Sequence, residues 1–129
     1  MLTFKQPYIT CTKNKPMVSI ENFRSLALSF EEVVEQPHFE KTSFRVTKKI
    51  FATFDIKNRR VVVKLSAAEQ SVFCLFDKSI IYPVPGKWGL QGWTMIELNK
   101  VGKNMLKDAL LISYCNVAPK RLAEKYRRG

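Results

Sequence analysis

Apolar positions recur along this chain with two periods, and the changes of period mark out its elements. Ile20, Phe23, Leu26, Ala27 and Phe30 fall three and four residues apart, the buried stripe of an amphipathic helix. Ser19 stands before the stripe as N-cap, and Glu21 faces the positive end of the helix dipole. This helix is expected to close near Glu31. Val33 and Val34 then lead toward Pro37, which cannot donate to a ladder, so an edge or irregular strand is expected there. Over residues 43–65 the period shortens to that of strands, and Phe44, Val46, Ile50, Phe51, Phe54, Val61, Val63 and Leu65 are assigned to the core. Thr47-Lys48-Lys49 reads as a tight turn and Lys57-Asn58-Arg59 as a hairpin turn with Asn58 at positive φ. Strands over 43–47, 50–56 and 60–65 therefore form an antiparallel meander.

Ser66 and Glu69 make a capping box that opens a second helix, with Ala68, Val72, Leu75 and Phe76 assigned to its inner face. A short strand is expected over 80–82, and the breaker-rich stretch PVPGKWGLQG is expected to be a loop. Residues 93–98 alternate as a further strand, with Trp93, Met95 and Glu97 on one side and Thr94, Ile96 and Leu98 on the other. A third helix starts near Val101, its seam carrying Leu106, Ala109, Leu110, Ser113 and Val117, and Pro119 opens a last helical segment, KRLAEKYR. Together these predict an α+β fold, a single antiparallel β-sheet with helices packed on one face.

Composition narrows this picture. A chain of 129 residues with 46% apolar content reads as one globular domain over residues 19–129, preceded by an N-terminal extension over 1–18 in which Phe4, Tyr8 and Ile9 can form a short strand or strap. The start lacks the apolar stretch of a secretory signal, and no apolar run approaches a membrane span, so a cytoplasmic location and no membrane partner are expected. A monomer is the default. Cys11, Cys74 and Cys115 form no CxxC pair, which argues against a disulfide framework or zinc knuckle; Cys74 and Cys115 read as packing residues.

Charge adds the first functional hint. The formal net charge is +11, unevenly spread. Residues 21–40 carry Glu21, Glu31, Glu32, Glu35 and Glu40 against Arg24, a local −4, so the remainder sums to +15. Residues 41–64 carry eight basic side chains against Asp55, or +7, and residues 119–128 add +4. Such a cationic surface attracts polyanions, nucleic acid above all; the alternative is charge that serves solubility alone.

The candidate phosphate contacts are Arg45, Lys48, Lys49, Lys57, Arg59, Arg60, Lys64, Lys87, Lys120 and Arg121. Lys48-Lys49 and Lys57-Asn58-Arg59 cap opposite ends of one strand, roughly 20 Å apart. That exceeds a Debye length of about 8 Å, so the two clusters would act separately. Trp88, beside Lys87, either stacks on a base or closes one end of the core. Gly86, Gly89 and Gly92 read as turn glycines, because no helix is expected directly after them to complete a phosphate cradle. His38, the sole histidine, is either a proton shuttle with Glu40 or a packed structural residue. With Trp88 and Trp93 it marks a possible ligand cleft. No catalytic residue, metal site or cofactor is assigned: no Ser or Cys nucleophile has a readable partner, and no acidic or His cluster has ligand spacing.

The segments PHFEKTSFRVTKKIFATF, VVVKLSAAEQ, YPVPGKWGLQGWTMIEL and APKRLA together resemble the MmcQ/YjbR family, from near Ile20 to about Ala123. The resemblance implies a CyaY-like α+β fold, also described as a double-wing DNA-binding fold, and DNA binding. Family members often have a Leu-Pro-Gly break where this chain reads Ser29-Phe30-Glu31-Glu32, and glycine where Glu40 stands. Relatives by fold bind iron through acids that Glu31, Glu32 and Glu35 imitate weakly, but a basic protein is poorly suited to concentrating cations. The expected function is therefore non-enzymatic: DNA binding of low sequence specificity, through phosphate contacts from the basic sheet and the C-terminal helix. The alternative is a protein-interaction or small-ligand domain.

Overall fold

The computed structural model describes residues 18–38 and 40–127. The proposed strand or strap around Phe4, Tyr8 and Ile9, and Cys11 with it, lies outside them. Ile20–Leu28 forms α1, capped by the Ser19 hydroxyl, which accepts from the Asn22 amide at 3.0 Å. The helix ends a turn earlier than the stripe suggests, because the Ser29 hydroxyl donates to the Leu26 carbonyl and Glu32 takes φ 63°. Four strands follow: β1 (Val33–His38), β2 (Lys41–Val46), β3 (Lys49–Asp55) and β4 (Arg60–Lys64). Then come α2 (Ala67–Phe76), β5 (Ile81–Pro83), a single helical turn α3 (Lys87–Leu90), β6 (Trp93–Glu97), α4 (Lys103–Val117) and α5 (Lys120–Arg127).

Among the described residues the strands make one antiparallel sheet in the order β1-β2-β3-β4-β6-β5. Pro37 lies on the edge strand β1, where its missing N–H costs no ladder bond. The core fills one face. Phe23 of α1 packs edge-on against Phe44 at 5.4 Å and tilted against Phe54 at 4.7 Å. Tyr114 of α4 meets Phe51, Phe30 of the α1 end, and Tyr126 of α5, with ring centroids 5.0–5.6 Å apart. The backbone of Glu31 locks that corner: its N–H donates to the Tyr126 hydroxyl and its carbonyl accepts from Tyr114.

Four local expectations change. The pairing register shifts between Phe44 and Arg45, so that Phe44 faces Ala52 but Arg45 faces Ile50, and Phe51 is the extra residue. An inserted residue reverses the alternation beyond it. Phe51 and Ala52 are both buried, and Ile50 leaves the core for the opposite face of the sheet, beside Arg45. At the β3–β4 turn it is Arg59, not Asn58, that takes positive φ (54°); Asn58 is held instead by Asp55, which accepts from its backbone and side-chain amides.

In α2 the assigned inner face is the outer one, with Val72, Leu75 and Phe76 at 67, 80 and 61% exposure. The inward stripe is Gln70, Phe73 and Cys74, and the Gln70 amide reaches the Gly89 carbonyl and the Thr94 hydroxyl, both at 3.0 Å. A polar residue with several partners has displaced apolar ones from the packed side. Finally, a helical turn does follow Gly86, which takes φ 81°.

Candidate functional site

Strand alternation leaves the second face of the sheet uncovered by the core helices, and its side chains fall into cross-strand rows. One row runs Asp55–Arg60–Glu97, with Arg60 Nε 3.0 Å from Glu97 Oε2 and the Tyr82 hydroxyl donating to the same carboxylate. The next is Ser43–Thr53–Val62–Met95–Tyr82. Beyond it stand Arg45 beside Ile50, and Lys64 beside Trp93.

The face is concave. His38 and Lys41 from the β1–β2 end and Trp88 from α3 line one cavity of about 430 Å3, floored by Thr53, Val62 and Met95. A second cavity of about 460 Å3 adjoins it, sharing Ile50 and Trp93 and adding Lys49, Lys64, Gln91 and Asn116.

Lys64 is positioned through its backbone. Ser113, wholly buried on α4, inserts its hydroxyl between β3 and β4 just past the last pair of their ladder, Ala52 with Val63, accepting from the Lys64 N–H at 2.8 Å and donating to the Phe51 carbonyl at 2.6 Å. Asn116, one turn on, donates to the Lys64 carbonyl at 3.2 Å. So anchored, Lys64 holds its ammonium 5.4 Å from the centre of the Trp93 ring, a cation–π contact. Asn116 also donates to Glu69 at 2.8 Å. Burial would raise the Glu69 carboxyl, but hydrogen bonds from Ser66 and Asn116 outweigh it and hold the group below its ordinary range.

The candidate cations divide sharply. Lys48 sits at φ 73° in the two-residue β2–β3 turn, next to Lys49. Lys41, Lys49 and Lys64 make no ion pair among the described residues, nor do Lys48, Lys57 and Lys87. At the other end of the sheet Arg59 is spent on structure, donating to the Asn99 side chain and to the Val18 carbonyl at 3.3 Å. Arg45 donates to the Ser43 hydroxyl at 3.0 Å.

Three of the four cations of the C-terminal helix are paired with acids; the fourth, Arg127, donates to the Cys115 carbonyl at 3.4 Å. Arg121 pairs in a two-pronged contact with Glu32 at 2.8 and 3.0 Å, Lys125 with Glu31 at 3.0 Å, and Lys120 with Glu124 at 3.8 Å. The hydrogen bond from Arg121 holds the Glu32 carboxyl below its ordinary range. Glu35 is likewise engaged by Arg24, 2.6 Å away. The acids that imitate a metal cluster in sequence are thus each tied to a cation.

The structure brings His38, Trp88 and Trp93 to one cavity, and Trp88, 61% exposed, does not close the core. Lys41 belongs with them, although the charge clusters passed it over. Its signal is the register: Lys41 pairs with His38, which places both on the open face.

A model of the YjbR family matches residues 28–116. Among solved structures, the chain is similar to the crystal structure of the Deinococcus radiodurans protein DR2400, with its DUF419 domain. The TM-score is 0.72 at 21% identity over 88% of each chain, a likeness of fold. No curated protein matches.

Proposed function

The chain belongs to the YjbR family, and we propose that it is a nucleic-acid-binding protein rather than an enzyme, taking the phosphate backbone on the concave face of its sheet. The observation that carries this reading is the sorting of its charges. Lys120, Arg121 and Lys125 of α5 are paired with Glu124, Glu32 and Glu31, whereas Lys49 and Lys64 line one cavity with no ion pair among the described residues. Uncompensated ammonium groups in a concavity attract phosphates and release their counterions on binding.

The proposed surface is therefore smaller than the whole basic content of the chain. It centres on Lys41, Lys48, Lys49 and Lys64, with Lys87 beside Trp88; the C-terminal helix and Arg59 contribute little. Phosphate contacts of this kind position a polymer without reading its bases, so low sequence specificity follows. No helix among the described residues is long and apolar enough to cross a membrane, and no membrane role is proposed.

Anisotropy of labelled DNA against salt concentration tests the reading. Log affinity should fall linearly with log salt, and the Lys49→Ala/Lys64→Ala double variant should flatten the slope by about 1.5. Unchanged slopes, or no binding at low salt, would remove the basis for the proposal. A second reading draws on the cavity formed by His38, Trp88 and Trp93, which has the size of a small-ligand site. Binding of an uncharged aromatic compound there, insensitive to salt and to the lysine substitutions, would favour it.

A further inference from the structure

We propose that the polymer taken by this face is single-stranded, with an unpaired base laid on Trp88 and the adjoining backbone held by Lys49 and Lys64. The inference rests on the nucleic-acid reading above and adds to it the strand type and the division of labour along the groove.

The first observation is the placement of Trp88. A tryptophan ordinarily buries much of its large apolar surface, yet this one is 61% exposed. It stands on the helical turn α3, which Gly86 enters at φ 81° and which Gly89 presses so close to the Val84 carbonyl that a Cβ would lie 2.0 Å from that oxygen. A ring presented from a turn of this kind keeps a face open to a partner.

The second is what surrounds it. Trp88 and Trp93 line one cavity whose floor includes Val62 and Met95, an apolar lining suited to the flat face of a base. In an intact duplex both faces of each base are covered by neighbouring pairs, so aromatic side chains have only edges and backbone to touch. An unstacked base offers its ring, and base–aromatic stacking is tolerant of sequence because each base has such a face.

The third is the junction of the two cavities. Trp93 belongs to both, and Lys64 stands over its ring while lining the second cavity with Lys49. A strand whose base stacks on Trp88 and whose backbone runs past Trp93 meets these two ammonium groups in the adjoining cavity. The acids of the open face lie in the outermost row, away from this junction: Glu97 is paired with Arg60, and Asp55 accepts from Asn58. Single-stranded DNA and RNA share the chemistry recognised, a flexible phosphodiester chain with unpaired bases.

The test compares the full chain with labelled oligothymidylate, oligouridylate and a mixed-sequence duplex of equal length, by anisotropy at one salt concentration and by quenching of intrinsic tryptophan fluorescence. Single strands should bind about tenfold tighter than duplex and quench the fluorescence. Trp88→Ala should weaken single-strand binding by about 5- to 100-fold and leave duplex binding unchanged, with Trp88→Phe retaining most of the affinity. Unchanged circular dichroism and thermal midpoint in both variants would confirm folding, since the side chain packs little. The two single-strand arms tell DNA from RNA. Duplex binding equal to or tighter than single-strand binding, or Trp88→Ala affecting both polymers alike, overturns the inference while leaving the phosphate reading in place. Failure of every polymer to bind at low salt overturns both.

Discussion

Replacing Ser113 by alanine is expected to destabilise the fold by about 2–4 kcal/mol, although it removes one oxygen. The Ser113 side chain is inaccessible to solvent, and its hydroxyl joins two backbone groups just past the last β3–β4 pair: it donates to the Phe51 carbonyl at 2.6 Å and accepts from the Lys64 N–H at 2.8 Å. Alanine leaves one acceptor and one donor without their partner, each costing about 1–3 kcal/mol, and relief from burying the hydroxyl offsets part of the sum. Urea unfolding followed by circular dichroism measures it. With a denaturant slope of about 1–3 kcal/mol per molar, the midpoint should fall by about 1 M or more. The same substitution loosens the end of β4 that carries Lys64 and faces Trp93, so Lys64 should contribute less to the salt slope of nucleic-acid binding. A loss below about 0.5 kcal/mol, the range of an ordinary surface change, would mean that the ladder closes or hydrates without the hydroxyl, and the account of how α4 positions Lys64 would fail.

Other consequences are open to direct measurement. Arg121→Ala should leave the salt slope of binding unchanged, because Glu32 already occupies the guanidinium; a slope flattened as much as by Lys64→Ala would restore the C-terminal helix to the binding surface. Gly92→Ala should cost about 3 kcal/mol or more and lower the melting temperature by roughly 10 °C, since the residue sits at φ 104° and a Cβ would stand 1.8 Å from the Leu65 carbonyl oxygen. Burial, followed by the neighbouring Tyr126 and Glu31, pushes the Tyr114 phenol up to about 12. Its folded pKa lies above the unfolded value of about 10, so the stability gained from the neutral phenol is complete below pH 10 and lost as pH rises toward 12. Tyr114 should ionise well above pH 10 in an absorbance titration, with alkaline unfolding in that window; Tyr114→Phe should remove its share of the dependence.

Much of the secondary structure was legible because its causes are local. Ser19 caps α1, and the reciprocal bonds of Ser66 and Glu69 open α2 as the spacing predicts. Pro37 forces an edge strand, and the alternation of Trp93, Thr94, Met95 and Ile96 gives β6 its two faces. Each signal acts over a few residues through hydrogen-bond satisfaction or the strand and helix periods, so a linear reading captures it. The excess of positive charge and its concentration in residues 41–64 are properties of the chain itself.

Tertiary structure decided everything that depends on residues far apart. One extra residue at Phe51 moved Ile50 from the core to the open face, a change that alternation cannot foresee without the partner strand. Gln70 displaced the apolar stripe of α2 because its acceptors, Gly89 and Trp93 among them, lie 19 and 23 residues away. Glu32 and Arg121, 89 residues apart, cancel charges that a local count adds to opposite ledgers. Likewise His38, Lys41 and Trp88 line one cavity although they belong to elements far apart in the chain. Local patterning and charge thus sufficed to specify a basic α+β sheet structure. Folding alone decided which of its described cations are paired and beside which aromatic rings they stand, because long-range pairing acts through space and leaves no local period to read.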